Sequence, residues 1–133
     1  MNTPISFEIA KLLKEKGFDE QSINFYTKPN SKMFGIDEHY RNYPIKNTPK
    51  KLYKLGVNAV LNIENIYFAP TIAEVVMWLY EKHGIWISVE ATDDFTMFCF
   101  RIRKKEISRL SFNYNSLTEA YEAAIEYTLK NLI

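Results

Sequence analysis

The sequence predicts an α+β fold with two layers, an antiparallel sheet and helices that cover one of its faces. A helix with an apolar stripe is predicted from Thr71, and the apolar period changes from 3.6 to 2 residues directly after Gly84. Two more alternating segments follow, and an amphipathic helix closes the chain. The C-terminal half therefore has the order α-β-β-β-α, which suits helices packed on one face of a strand meander.

Length and composition predict one domain over residues 1–133. With 47% hydrophobic residues, a chain of this size buries roughly two-thirds of its unfolded surface. The formal net charge of +1 gives no global field that would draw the protein to nucleic acid or to a membrane. A lone cysteine, no leader sequence and no long apolar run predict a cytoplasmic protein without membrane association.

A short helix is predicted at the N-terminus. Thr3 and Pro4 have the pattern of a cap followed by a first-turn proline, and an apolar stripe leads to Gly17, where the helix is expected to end. Short strands are predicted at residues 22–26 and 57–63 from their alternating apolar positions.

Residues 28–54 predict a long loop that is basic and rich in tyrosine. Its prolines interrupt regular structure, and it holds seven cations against two carboxylates. A loop of this length is usually functional or mobile. Cations mixed with aromatic rings favour nucleic-acid binding, whereas the alternative is a lysine-bearing loop attached to the core by its tyrosines. Its candidate binding residues are Lys50, Lys51, Tyr53 and Lys54.

Capping boxes predict where the two later helices begin. Thr71 with Glu74, and Ser116 with Glu119, have the spacing at which a hydroxyl and a carboxylate each satisfy a backbone N–H. Gly84 is expected to end the first of these helices in the left-handed conformation.

The strands after Gly84 sort their side chains into two faces. We expect the core face to carry Ile85, Ile87, Val89, Phe98, Phe100, Ile102, Leu110 and Phe112. We expect the second face to carry Trp86, Met97, Cys99, Arg101, Arg103 and Arg109.

Two resemblances to known families follow from these segments. Residues 10–18, 69–71, 78–85 and 119–126 look like a family of small uncharacterised proteins encoded by Bacteroidetes bacteria and by their phages and mobile elements. The resemblance spans both ends and the middle of the chain, and it implies a source but no activity. The C-terminal element order also resembles a double-stranded-RNA-binding domain. That family places lysines at the start of its last helix, whereas residues 117–122 contain none, so the RNA activity is not carried over.

The sequence shows no recognisable catalytic or metal-binding set, so we expect a protein that is not an enzyme and has no cofactor. His39 and His83 have no carboxylate or thiol at metal-ligand spacing. Cys99 is most simply a packed thiol within a strand, and the adjacent Asp93 and Asp94 are typical of a turn.

Two functions compete for the second sheet face. The first is that of a small interaction protein of phage or mobile-element type, which binds a partner protein through Trp86 and the arginines, since these types dominate interface energetics. The alternative is nucleic-acid binding by the same arginines and the lysines of residues 28–54. The N-terminal helix or the loop could instead cover this face, and self-association through it is also open.

Overall fold

A computed structural model of the protein describes residues 3–18, 20, 22, 24–27, 32–35, 52–54, 60–62 and 66–133. For residues 27, 32–35, 52–54 and 60–62 the description covers the backbone. The chain divides into two compact units, one formed by Pro4–Pro70 and the other by Met1–Thr3 with Thr71–Ile133. We refer to them as the N-terminal and C-terminal units.

The described residues form an α+β fold, as predicted. The N-terminal unit contains α1 (Phe7–Glu15), β1 (Asn24–Thr27), β2 (Lys32–Gly35), β3 (Leu52–Lys54), β4 (Val60–Asn62) and β5 (Ile66–Phe68). The C-terminal unit contains α2 (Ile72–His83), β6 (Ile85–Ala91), β7 (Phe98–Lys104), β8 (Ile107–Tyr114) and α3 (Leu117–Asn131). The predicted order α-β-β-β-α is therefore confirmed.

In the N-terminal unit, α1 begins later than the sequence predicted. Ser6 is its N-cap, and the Ser6 hydroxyl accepts a hydrogen bond from the backbone N–H of Ile9 at 3.4 Å. Thr3 is not the cap, because the backbone of Ile5 instead donates to the carbonyl of Pro70 at 3.0 Å. Sequence spacing cannot show this long-range bond. Gly17 follows the helix with φ of 87°, in agreement with its predicted role.

The sheet of this unit has the strand order β2-β1-β5, and β3 pairs with β4. Strands β2 and β3 fall inside the segment predicted as a loop, so that part of the prediction is corrected. Antiparallel backbone pairing of β2 with β1 accounts for the first of them. The other residues of the predicted loop, including Lys50 and Lys51, lie outside the described residues.

The corner between α2 and β6 agrees closely with the prediction. The Thr71 hydroxyl accepts from the Glu74 N–H at 3.3 Å, and the Glu74 carboxylate accepts from the Thr71 N–H at 3.4 Å, which completes the capping box. Gly84 has φ of 66° and ends the helix. At α3 the Ser116 hydroxyl accepts from the Glu119 N–H, but the Glu119 carboxylate accepts from Asn115 rather than from Ser116.

The C-terminal unit has two layers. Its sheet is antiparallel in the order β6-β7-β8. Helix α2 packs on β6, and α3 packs on all three strands. The core between the layers consists of buried side chains that alternate along β6 and β7 and recur on α3, namely Ile85, Ile87, Phe100, Ile102, Ala120, Ala124, Ile125 and Leu129.

Strand β8 presents its side chains opposite to the prediction. Lys104 pairs with Ile107, so the turn between β7 and β8 has two residues, with φ of 52° at Lys105. This register places Leu110 opposite Arg101 and Arg109 opposite Ile102. Because paired residues point to the same face, Leu110 and Phe112 leave the predicted core face and Arg109 joins the helix-covered face. The two-residue turn therefore fixes which side chains of β8 face the helices, although the apolar pattern of the strand predicts the opposite orientation.

Candidate protein-binding face

The sheet surface of the C-terminal unit that points away from α2 and α3 is the candidate site, and we call it the outer face. Register defines its members, because Trp86 pairs with Arg103, Ser88 with Arg101 and Glu90 with Cys99. Strand β8 adds Ser108, Leu110 and Phe112.

The outer face combines exposed apolar side chains with guanidinium groups. Trp86, Leu110 and Phe112 keep 42%, 44% and 54% of their surface exposed. Arg103 is exposed and Arg101 is half-buried. In the part of the chain that the structure describes, the ion pair present joins Lys130 to Glu126. Arg101 and Arg103 therefore form no ion pair with the described residues. Exposed large apolar groups beside arginine are a combination that also occurs at protein interfaces.

Trp86 is positioned by a second aromatic ring. The Tyr80 ring at the end of α2 meets the Trp86 ring edge-on, with centroids 5.5 Å apart and an interplanar angle of 80°. Both rings remain exposed. Sequence reasoning missed Tyr80, although its proximity to Gly84 and Trp86 could have indicated it.

Arg109 is not part of the outer face, which corrects the prediction that grouped it with Arg101 and Arg103. Its guanidinium carbon lies 4.1 Å from the centroid of the Tyr127 ring on α3, a cation–π contact on the helix-covered side. A cavity of about 290 Å³ lies beside this contact and is lined in part by Ser111, Tyr114 and Lys130.

A shallow depression crosses the outer face near the end of β6. It has a volume of about 290 Å³ and is lined by Ser88, Glu90, Cys99, Arg101, Leu110 and Phe112, together with the first residues of the loop between β6 and β7. Arg101 supplies hydrogen-bond donors there, and Leu110 and Phe112 supply apolar walls. The depression can therefore receive an apolar side chain next to an acceptor group.

The β6–β7 loop beside this depression is organised by one carboxylate. Asp94 accepts hydrogen bonds from the hydroxyls of Thr92 and Thr96, both at 2.7 Å, and from the N–H of Thr96 at 3.2 Å. These bonds, that from Thr92 first, lower the pKa of Asp94 from 3.8 to about 2. Asp93 and Asp94 thus form a turn, as expected. Next to them Phe95 has φ of 59° and is 80% exposed.

The other predicted binding residues belong to the N-terminal unit. Tyr53 and Lys54 lie in β3, where they pair with Leu61 and Val60. Lys50 and Lys51 lie outside the described residues.

The described residues contain no group of three potential metal ligands from histidine, cysteine, aspartate and glutamate. His83 meets the Trp78 ring edge-on, with centroids 4.9 Å apart. Cys99 is a free, half-buried thiol on the outer face.

Among the helices in the part of the chain that the structure describes, none is both long and apolar enough to cross a membrane.

Comparisons with protein-family models, with curated proteins and with solved structures find no match to this chain.

Proposed function

We propose that this protein is a non-enzymatic interaction protein that binds a partner protein through the outer face. The supporting observation is that Trp86, Leu110 and Phe112 stay exposed beside Arg101 and Arg103 on one sheet surface. The sequence resemblance described above supports a phage or mobile-element origin and, with the lone cysteine, a cytoplasmic location.

Trp86 and the two arginines are the expected anchors of the interface. Tryptophan and arginine carry much of the energy at protein interfaces when a partner removes them from water. The edge-on contact with Tyr80 restricts the Trp86 ring, so this side chain loses less conformational freedom on binding than one without a neighbour. Glu90 on the same face adds a negative charge, which favours a partner of mixed polarity over a uniformly anionic one.

The test uses Arg109 as its control, because the structure places this residue on the opposite face of the sheet from Arg101 and Arg103. We expect the double variant Arg101→Glu/Arg103→Glu to lose the partner proteins that wild-type protein captures from host extract, and Arg109→Glu to retain them. A purified captured partner should then bind the double variant at least tenfold more weakly in calorimetry. Equal capture by all three proteins would exclude the outer face as the binding site.

Nucleic-acid binding is the second candidate, because Trp86 lies next to Arg103 and could stack on a base while the guanidinium contacts phosphate. Titration of labelled duplex RNA, duplex DNA and single-stranded DNA across a salt series distinguishes the two functions. Nucleic-acid binding requires an affinity that falls steeply with salt. An affinity that does not change with salt, or no binding at low salt, removes this candidate.

A further inference from the structure

Strand β8 is an edge strand, and α3 contacts it only from the helix-covered side of the sheet among the described elements. In the described residues it pairs only with β7, and none of its eight residues is buried. Ile107 is 54% exposed on one side of the strand, while Leu110 and Phe112 are exposed on the other. Strand β6, at the opposite edge of the same sheet, differs, because its Ile85 and Ile87 are buried and both α2 and α3 pack on it.

We propose that β8 pairs antiparallel with β8 of a second copy of this chain and forms a symmetric dimer with a continuous six-stranded sheet. This inference concerns the sheet edge and does not depend on the proposed function of the outer face.

The strand carries few of the features by which exposed edges avoid pairing. Edge strands that face water carry lysines, prolines or charges that disfavour a neighbour, or they are short. Strand β8 is longer than the usual five or six residues and contains neither lysine nor proline. Its one irregularity is a bulge at the far end, where the register with β7 shifts between Phe98 and Phe100 and Asn113 has φ of 74°. Residues 107–111 remain a regular edge.

The charge distribution favours a second copy as the occupant of this edge. Arg109 is the single charged residue of β8, and its guanidinium lies over Tyr127 of its own α3, 4.1 Å from the ring centroid. The contact draws the charge away from the edge, so two copies of the strand can approach without repulsion between their arginines. A register centred on Leu110 also places each Arg109 opposite Ser111 of the second copy.

Symmetry gives this pairing a consequence for the outer face. The two-fold axis of an antiparallel strand pair is perpendicular to the sheet, so both copies keep their outer faces on the same side. The two Leu110 side chains then meet across the axis, and each Phe112 lies opposite Ser108 of the second copy. The dimer would present two sets of Trp86, Arg101 and Arg103 on one surface.

The test is the mass of the full chain in solution, measured by sedimentation over a wide range of concentration. We expect wild-type protein to have twice the mass of one chain at micromolar concentration. Leu110→Arg should weaken the dimer at least tenfold, because it places two cations face to face at the axis. The matched control is Met77→Arg, which adds the same charge at an exposed position of α2 and should leave the mass unchanged.

Hydrogen exchange keeps the proposal falsifiable if Leu110→Arg disturbs folding. In wild-type protein the edge-facing amides of β8 should become more protected as concentration rises, while amides within α3 should not change. A mass of one chain throughout the series overturns the proposal. So does a dimer whose β8 amides exchange at the same rate at every concentration.

Discussion

Asp94 shows how a single exposed residue organises the loop beside the outer face. Its carboxylate accepts from two threonine hydroxyls and one N–H within a six-residue connection. The neighbouring Phe95 occupies the left-handed region, where a residue other than glycine is disfavoured. The hydrogen bonds on both sides of Phe95 stabilise this conformation and keep its ring in solvent.

Thr92→Val should raise the pKa of Asp94 from about 2 toward 3.8, because the Thr92 hydroxyl is the largest cause of the lowered value. Thr96→Val should raise it by less if the backbone bond from residue 96 remains. A folded-state pKa below the unfolded one means that these bonds stabilise the folded protein above pH 3.8 and lose their effect as pH falls through about 2. Carboxyl carbon shifts in an NMR titration measure this change. A midpoint near 3.8 in wild-type protein would contradict it.

At the scale of elements, signals that are local in the sequence set the ends of the helices. The pairing register sets which side chains each strand turns to each face of the sheet. The capping residues Thr71 and Ser116 and the closing Gly84 act within one helical turn, so the sequence predicted the ends of α2 and the start of α3. The start of α1 depends on a partner that is distant in sequence, and that prediction was wrong. Strands β2 and β3 instead pair with the nearby strands β1 and β4, and the prediction missed them because prolines interrupt the pattern of residues 28–54.

The candidate site shows the same division between local and distant information. The regular alternation of β6 and β7 predicts that Trp86, Arg101 and Arg103 share one face, and the pairing of these strands places them there. The prediction places Leu110 on the core face and Arg109 on the second face, because it assumes that the apolar residues of β8 are buried. The two-residue turn fixes the opposite orientation, and exposed apolar residues result.

Substitutions in adjacent strands test this register. Ile102→Ala should lower the free energy of unfolding by about 2–5 kcal/mol, because it leaves a cavity at a position with no exposed surface. Leu110→Ala should cost less than about 1 kcal/mol in the single chain, since that side chain is already partly in water. Denaturant unfolding measures both, at a concentration where sedimentation gives the mass of one chain. Equal losses would mean that Leu110 is buried and that the register is wrong.

At the scale of the whole molecule, pairing through β8 would link stability to concentration. If the dimer forms, a tenfold rise in chain concentration should stabilise it by about 1.4 kcal/mol per mole of dimer and raise its melting temperature. The melting temperature of Leu110→Arg should not depend on concentration in the range where that variant has the mass of one chain, whereas Met77→Arg should follow wild-type protein. Scanning calorimetry at several concentrations provides the measurement. A constant wild-type melting temperature would contradict the dimer.

The two-residue turn between β7 and β8 also has a consequence for how this surface can evolve. If the turn kept two residues, inserting one residue there would shift the pairing by one position and turn every side chain of β8 to the other side of the sheet. Arg109 would replace Leu110 on the outer face, and Leu110 and Phe112 would point toward α3. A single added codon could thus give the protein a different binding surface while every existing amino acid stayed the same.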